Sequence, residues 1–263
     1  MKALSLLPML CLSLCSACVG TTGGDVVDFG ATASGPEGLQ SGSPLAFDTD
    51  LGWQVSLTTA HLHVGAVYLN ESLPVSGAQS TNCILPGTYV AEVTDGLNVD
   101  LLSSEGQPFP SLGHGTTLLA TSAQVWLTEG PIDSPEEPAQ QPILTVVGSA
   151  TRAGDVRPFS AKLSISTSNR LANSASSPFA SPICKLRVVS PIATSVQVET
   201  QGSLRLRIDP RLLFVNVDFG ALMADSGVFV FADDSSDQPS ANLYQNLRSA
   251  GALYTFSWAS APQ

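Results

Sequence analysis

Three histidines are the residues of this 263-residue chain best suited to chemistry. His61 and His63 flank Leu62, and side chains two apart on a strand project from the same face, so both imidazoles can turn towards one ion. His114 lies between Gly113 and Gly115, in a predicted turn that can bring it towards the pair. Glu92, Asp95 and Asp100 are close by in sequence, and a mixed histidine and carboxylate set built on His61, His63 and His114 would suit Zn or Cu. A lone His-x-His motif describes equally well two solvated histidines on the polar face of a strand.

Other motifs are weaker. Asp233, Asp234 and Asp237, interleaved with Ser235 and Ser236, resemble the start of a calcium loop but lack its glycine and its bidentate glutamate. A solvated acidic turn is the expectation there, as it is for Asp48 and Asp50. No Gly-x-Ser-x-Gly elbow, Ser-x-x-Lys or catalytic cysteine signature singles out a nucleophile, and no glycine-rich loop opens a helix to hold phosphate. Lys162, Lys185, Arg187, Arg205 and Arg207 fall on the polar positions of strand-like runs. They form a positive stripe, suited to an anionic glycan or an acidic protein surface, if those strands are neighbours. Tyr254, Phe256 and Trp258 share one face of the last run, where rings are expected to close a core.

Charge limits the partners further. The formal net charge is −11, unevenly spread: residues 19–151 hold fourteen carboxylates and no lysine or arginine, whereas residues 152–248 hold ten basic residues. This balance repels phosphate backbones and argues against nucleic acid as a partner. Cationic partners suit the acidic half, and a solvated surface that maintains solubility is the simpler reading.

Strands must position these groups. After residue 45, apolar residues recur with period two in short runs bounded by Gly, Pro, Asn, Asp or Ser. Trp53, Val55 and Leu57 form one row; Ala60, Leu62, Val64, Ala66 and Tyr68 form the next, which turns His61 and His63 away from the core. Similar rows are Ala161, Leu163 and Ile165; Cys184, Leu186 and Val188; and Leu204, Leu206 and Ile208. Shorter runs cover residues 89–93, 123–128, 143–147, 196–198, 213–219, 228–231 and 253–258. A short helix is predicted from Ser240 as N-cap, through Leu243, Tyr244 and Leu247, to Gly251. The pattern predicts an all-β fold, an antiparallel β-sandwich or jelly roll with one short C-terminal helix, as a single domain over residues 46–263. An outer-membrane barrel would carry more aromatic residues than the 6% present. Residues 130–142 and 168–182 read as long loops.

The chain opens with Lys2, an apolar run over residues 3–14 too short to span a bilayer, and the segment Leu14-Cys15-Ser16-Ala17-Cys18. That segment resembles the lipobox of bacterial lipoproteins, with Cys15 in the place where the family usually has leucine; an ordinary cleaved secretory signal is the other reading of the same residues. The resemblance covers the first 18 residues. It implies removal of residues 1–17, acylation of Cys18, and a protein held to a membrane of the cell envelope by its N-terminal lipid. Val19 and Gly20 follow, with no Asp beside the anchor, and similarity to lipoprotein sorting in Gram-negative bacteria then implies the outer membrane. Residues 18–45, rich in Gly, Ser and Thr, are expected to form a flexible tether. With Cys11 and Cys15 removed and Cys18 acylated, Cys83 and Cys184 remain to form a disulfide in an oxidising compartment, stabilising by about 4 to 5 kcal/mol on a chain-entropy model.

Together these features lead to the expectation of a non-enzymatic envelope lipoprotein with a binding or structural role, its protein or glycan partner unspecified. Cu or Zn handling through His61 and His63 is the alternative. An envelope hydrolase whose site is not legible in sequence is a third.

Overall fold

The structure is a computed structural model that describes residues 23–40, 42–72, 88–130, 139, 141–166 and 186–260. Its strands are β1 (Val26–Ser34), β2 (Leu45–Asp48), β3 (Gln54–Val64), β4 (Ala66–Asn70), β5 (Tyr89–Val93), β6 (Leu97–Asp100), β7 (Gln107–Pro108) and β8 (Gly113–Thr116). They continue with β9 (Leu119–Trp126), β10 (Leu144–Arg152), β11 (Asp155–Leu163), β12 (Val188–Gln197), β13 (Ser203–Ile208), β14 (Ala224–Asp225), β15 (Val228–Phe231) and β16 (Tyr254–Ala259). Two 3-10 turns, Pro210–Phe214 and Phe219–Ala221, and one helix, α1 (Gln238–Leu247), lie between β13 and β16. Among the described residues the fold is all-β with one short C-terminal helix, as predicted.

The larger sheet runs β12-β9-β4-β5-β8-β1-β13-β16, with β7 beside β1. It curls until its end strands β12 and β16 lie against each other, which makes it nearly barrel-like. The smaller sheet runs β14-β15-β11-β10-β3-β2, with β6 beside β3. Most pairs are antiparallel, but β1 with β13 and β11 with β15 are parallel. Buried side chains of both sheets join in one hydrophobic cluster. Within it the neighbouring rings of Trp53, Phe159, Phe214, Phe219 and Phe231 have centroids 4.9 to 6.4 Å apart, and each such ring contributes roughly 1.5 to 3 kcal/mol by burial.

The expected tether is corrected first. Residues 26–34 are not flexible: β1 lies between β8 and β13, with Phe29, Ala31 and Ala33 buried. Val27, Phe29, Ala31 and Ala33 carry the period-two signal, hidden by the glycine-rich composition around them. Glycine here marks close approach. A Cβ on Gly35 would lie 2.0 Å from the Leu101 carbonyl oxygen, and one on Gly113 would lie 2.4 Å from the Phe29 ring. The packed body therefore begins near Val26, and the boundary at residue 46 moves accordingly.

Three further differences have local causes. The apolar parity of β3 changes from Val55 and Leu57 to Ala60, Leu62 and Val64 because Thr58 is an extra residue, a β-bulge between the partners of Val147 and Gly148. Residues 213–219 form no strand: Asp209, followed by Pro210, accepts from the Arg211 amide at 3.1 Å, and Asp218 accepts from the Gly220 amide at 2.9 Å, capping two 3-10 turns. The helix starts earlier than predicted. Its N-cap is Asp237, which accepts from the Ser240 amide at 2.8 Å, while the buried Ser240 hydroxyl accepts from the Ala232 amide at 2.7 Å.

Candidate functional site

The bulge at Thr58 sets the orientation of the histidine pair. Beyond it, Ala60, Leu62 and Val64 enter the core, so His61 and His63 emerge on the outer face of the smaller sheet. On β6, His61 faces Asp100 and His63 faces Asn98. His63 Nδ1 donates to Asn98 Oδ1 at 2.8 Å, and Nε2 lies 3.7 Å from Glu129 Oε1. With Nδ1 engaged as donor, Nε2 and the Glu129 carboxylate face each other closely enough to share a proton or a cation. The pair does not share one hollow. His63 lines a hollow of about 450 Å³ with Asn98, Glu129 and Gln141, whereas His61 lines a separate one of about 290 Å³ with Asp100 and Ser43.

His114 is elsewhere. It lies on β8 in the larger sheet, opposite Asp28 on β1 and Glu92 on β5, and its Nδ1 donates to Asp28 Oδ1 at 2.7 Å. Both side chains are more than half exposed, so the pair contributes at most about 1 kcal/mol. The expected convergence of His61, His63 and His114 is thus corrected: two strands of one sheet neighbour the pair, and another sheet carries the third. Among the described residues no group of three or more His, Cys, Asp or Glu is placed to hold a metal ion. Cys18, Cys83 and Cys184 lie outside the described residues.

The remaining acidic candidates serve the backbone. Asp233 accepts from the Ser164 amide at 2.7 Å and from its hydroxyl, and Asp237 caps α1. Asp234 accepts from the Ser236 amide at 3.0 Å; hydrogen bonds from Ser236 hold its carboxyl below the usual range. Asp50 accepts from the Asn216 amide at 2.9 Å, steadying a residue with φ of 56°.

The basic stripe also divides. Lys162 is on β11 of the smaller sheet, while Arg205 and Arg207 are on β13 of the larger one. Arg187 is not outward: it precedes β12 and is 3% exposed, and burial lowers its guanidinium pKa. Lys185 lies outside the described residues, as do most of the two predicted long loops. Tyr254 and Trp258 serve the core as expected. The Tyr254 hydroxyl donates to the Leu247 carbonyl at 2.9 Å, and Trp258 packs against Phe29 at 5.2 Å, ring edge to face.

On the outer face of the larger sheet, Tyr68 lies between Tyr89 and Trp126, with ring centroids 5.0 and 4.5 Å away. Burial raises the Tyr68 and Tyr89 pKa values, and the Glu92 charge raises both further. Sequence reasoning missed Asn98 and Glu129 as companions of His63. The alternation of Leu97 and Val99 with Asn98 and Asp100 was the available signal for Asn98; Glu129, beyond the end of β9, had none.

No protein-family model and no curated protein matches the chain. The solved structure of MbnP from Methylosinus trichosporium is similar over 90% of this chain and 100% of that chain, at 10% identity and a TM-score of 0.37. So remote a likeness does not bear on the site.

Proposed function

We propose that this β protein is a lipid-anchored component of the bacterial cell envelope, on the outer membrane, with a binding or structural role and no catalysis of its own. The observation that carries this reading is the short distance between the lipobox-like Cys18 and the first strand at Val26. Eight residues reach about 15 Å as a flexible chain and at most about 29 Å fully extended. An acylated Cys18 therefore holds the folded body beside the headgroups, where a surface-binding role needs it. No helix among the described residues is long and apolar enough to cross a membrane.

Fractionation tests the proposal. The full chain should sediment with outer membranes and carry the mass of acyl chains, and Cys18→Ala should be released without that mass. Equal partitioning of the two forms, or an unmodified Cys18, overturns it.

A second reading, Cu or Zn handling, is favoured by one contact, the His63 Nε2 and Glu129 pair facing each other at 3.7 Å. It retains His63, takes Glu129 as a new companion, and drops His61 and His114 from the expected set. Elemental analysis of the exported protein separates the readings. One equivalent of metal that disappears in His63→Ala supports metal handling, and a metal-free wild type leaves the binding role.

A further inference from the structure

We infer that the outer face of β1, β13 and β16 is a binding groove for an anionic sugar, one that carries a carboxylate or a phosphate group. The inference rests on the proposed binding role and names its ligand class.

Strand register builds the groove in two rows. In one, Arg205 on β13 lies between Thr32 on β1 and Ser257 on β16; in the next, Arg207 lies between Ser34 and Thr255. Alternation puts all six side chains outward, because Leu204, Leu206 and Ile208 of the same strand fill the core. The resulting hollow has a volume of about 630 Å³ and is closed on the β1 side by Ser104 and Gly106. Two residues apart on a strand, the arginines have Cα atoms about 6.6 Å apart, so both guanidinium groups reach one small ligand.

The two arginines differ in what holds them. Arg207 forms an ion pair with Glu37, which leaves its remaining donors oriented. Arg205 is exposed and has no ion-pair partner among the described residues; its cross-strand neighbours are hydroxyls. The chain has twice as many carboxylates as basic residues, yet none flanks Arg205 across the sheet. A strand face that is merely solvated gains from placing opposite charges opposite each other, and Arg205 has no such neighbour.

Guanidinium supplies donors only and matches the fork of a carboxylate or phosphate. Hydroxyls both donate and accept, which suits the hydroxyls of a sugar ring. The combination selects an oxyanion attached to a polyol over a bare anion or a neutral sugar. An extended polyanion is excluded by the acidity of the rest of the surface, whereas a compact ligand meets only the local field.

Isothermal titration of the full exported chain with glucuronate, glucose 6-phosphate, glucose, inorganic phosphate and oligoglutamate tests this. One or both acidic sugars should bind at a single site, more weakly as salt increases. Their relative affinities distinguish a carboxylate ligand from a phosphate one. Arg205→Gln should weaken binding about tenfold, as expected for loss of a charge-assisted hydrogen bond, and Arg205→Lys should restore it in part. Unchanged thermal unfolding of both variants shows that the loss belongs to the site. No binding of either acidic sugar, equal binding by Arg205→Gln, or equal or tighter binding of glucose, inorganic phosphate or oligoglutamate overturns the inference. Anchoring is scored separately by fractionation, so an anchored protein that ignores these sugars refutes the groove and leaves the envelope proposal standing.

Discussion

Phe29→Ala distinguishes a strand from a tether more sharply than any other single change. Phe29 is 3% exposed, faces Gly113 across β8, and packs edge to face on Trp258. Because β1 has neighbours on both sides, the backbone cannot collapse into the space that the ring leaves. Truncating a core Phe costs about 3 to 5 kcal/mol, and the lost aromatic pair and poor relaxation place this site near 4 kcal/mol. That is a large part of a typical stability of 5 to 15 kcal/mol. For a body of this size it lowers the Tm by roughly 8 to 16 °C. Urea unfolding followed by tryptophan fluorescence should show a lower midpoint with the slope unchanged. Val26→Ala is the control: Val26 is on the same strand but 84% exposed, so its effect should stay within about 0.5 kcal/mol. If Phe29→Ala unfolds at the same urea concentration as Val26→Ala, β1 is not part of the core and the reasoning fails.

Two further outcomes follow from the packing. Gly148→Ala should destabilise by about 1 to 3 kcal/mol in a thermal melt, because its Cβ would stand 2.4 Å from the Ser56 carbonyl oxygen and 3.0 Å from the Phe159 ring beside the bulge; a melt like that of wild type would show that the bulge yields freely. Tyr68, Tyr89 and Tyr254 all have pKa values raised above 10, chiefly by burial. The native state thus holds these protons more tightly than the unfolded one, so their contribution is complete below pH 10 and is lost as the pH rises from there through the raised native values. Tyrosinate absorbance should develop later in native than in urea-unfolded protein, and coincident curves would contradict the burial.

Much of the fold was legible because strand periodicity is local. Tyr89–Val93 and Val228–Phe231 carry their own patterns, and β13 follows directly from Leu204, Leu206 and Ile208. The outward orientation of His61 and His63 was legible for the same reason. β1 was missed because glycine was read as flexibility, although at Gly35 and Gly113 it permits contacts that a Cβ would block. The stretch 213–219 was misread because its apolar residues pack from 3-10 turns, whose caps at Asp209 and Asp218 outweigh the strand propensity of Val215 and Val217. The expected histidine trio came from proximity in sequence: all three histidines fall in the acidic half of the chain, yet strand pairing puts His114 on a different sheet from His61 and His63.

The sequence by itself determined that the chain is all-β and that its histidines lie outside the core. These properties depend on alternation, which neighbouring residues settle among themselves. Only the tertiary structure decided that His114 stands apart from His61 and His63, and that Arg205 lies between Thr32 and Ser257. Both follow from which strands pair, and β1 with β13 joins residues from opposite ends of the chain. Such pairing is selected by the fit of whole faces into one core, which no local pattern records.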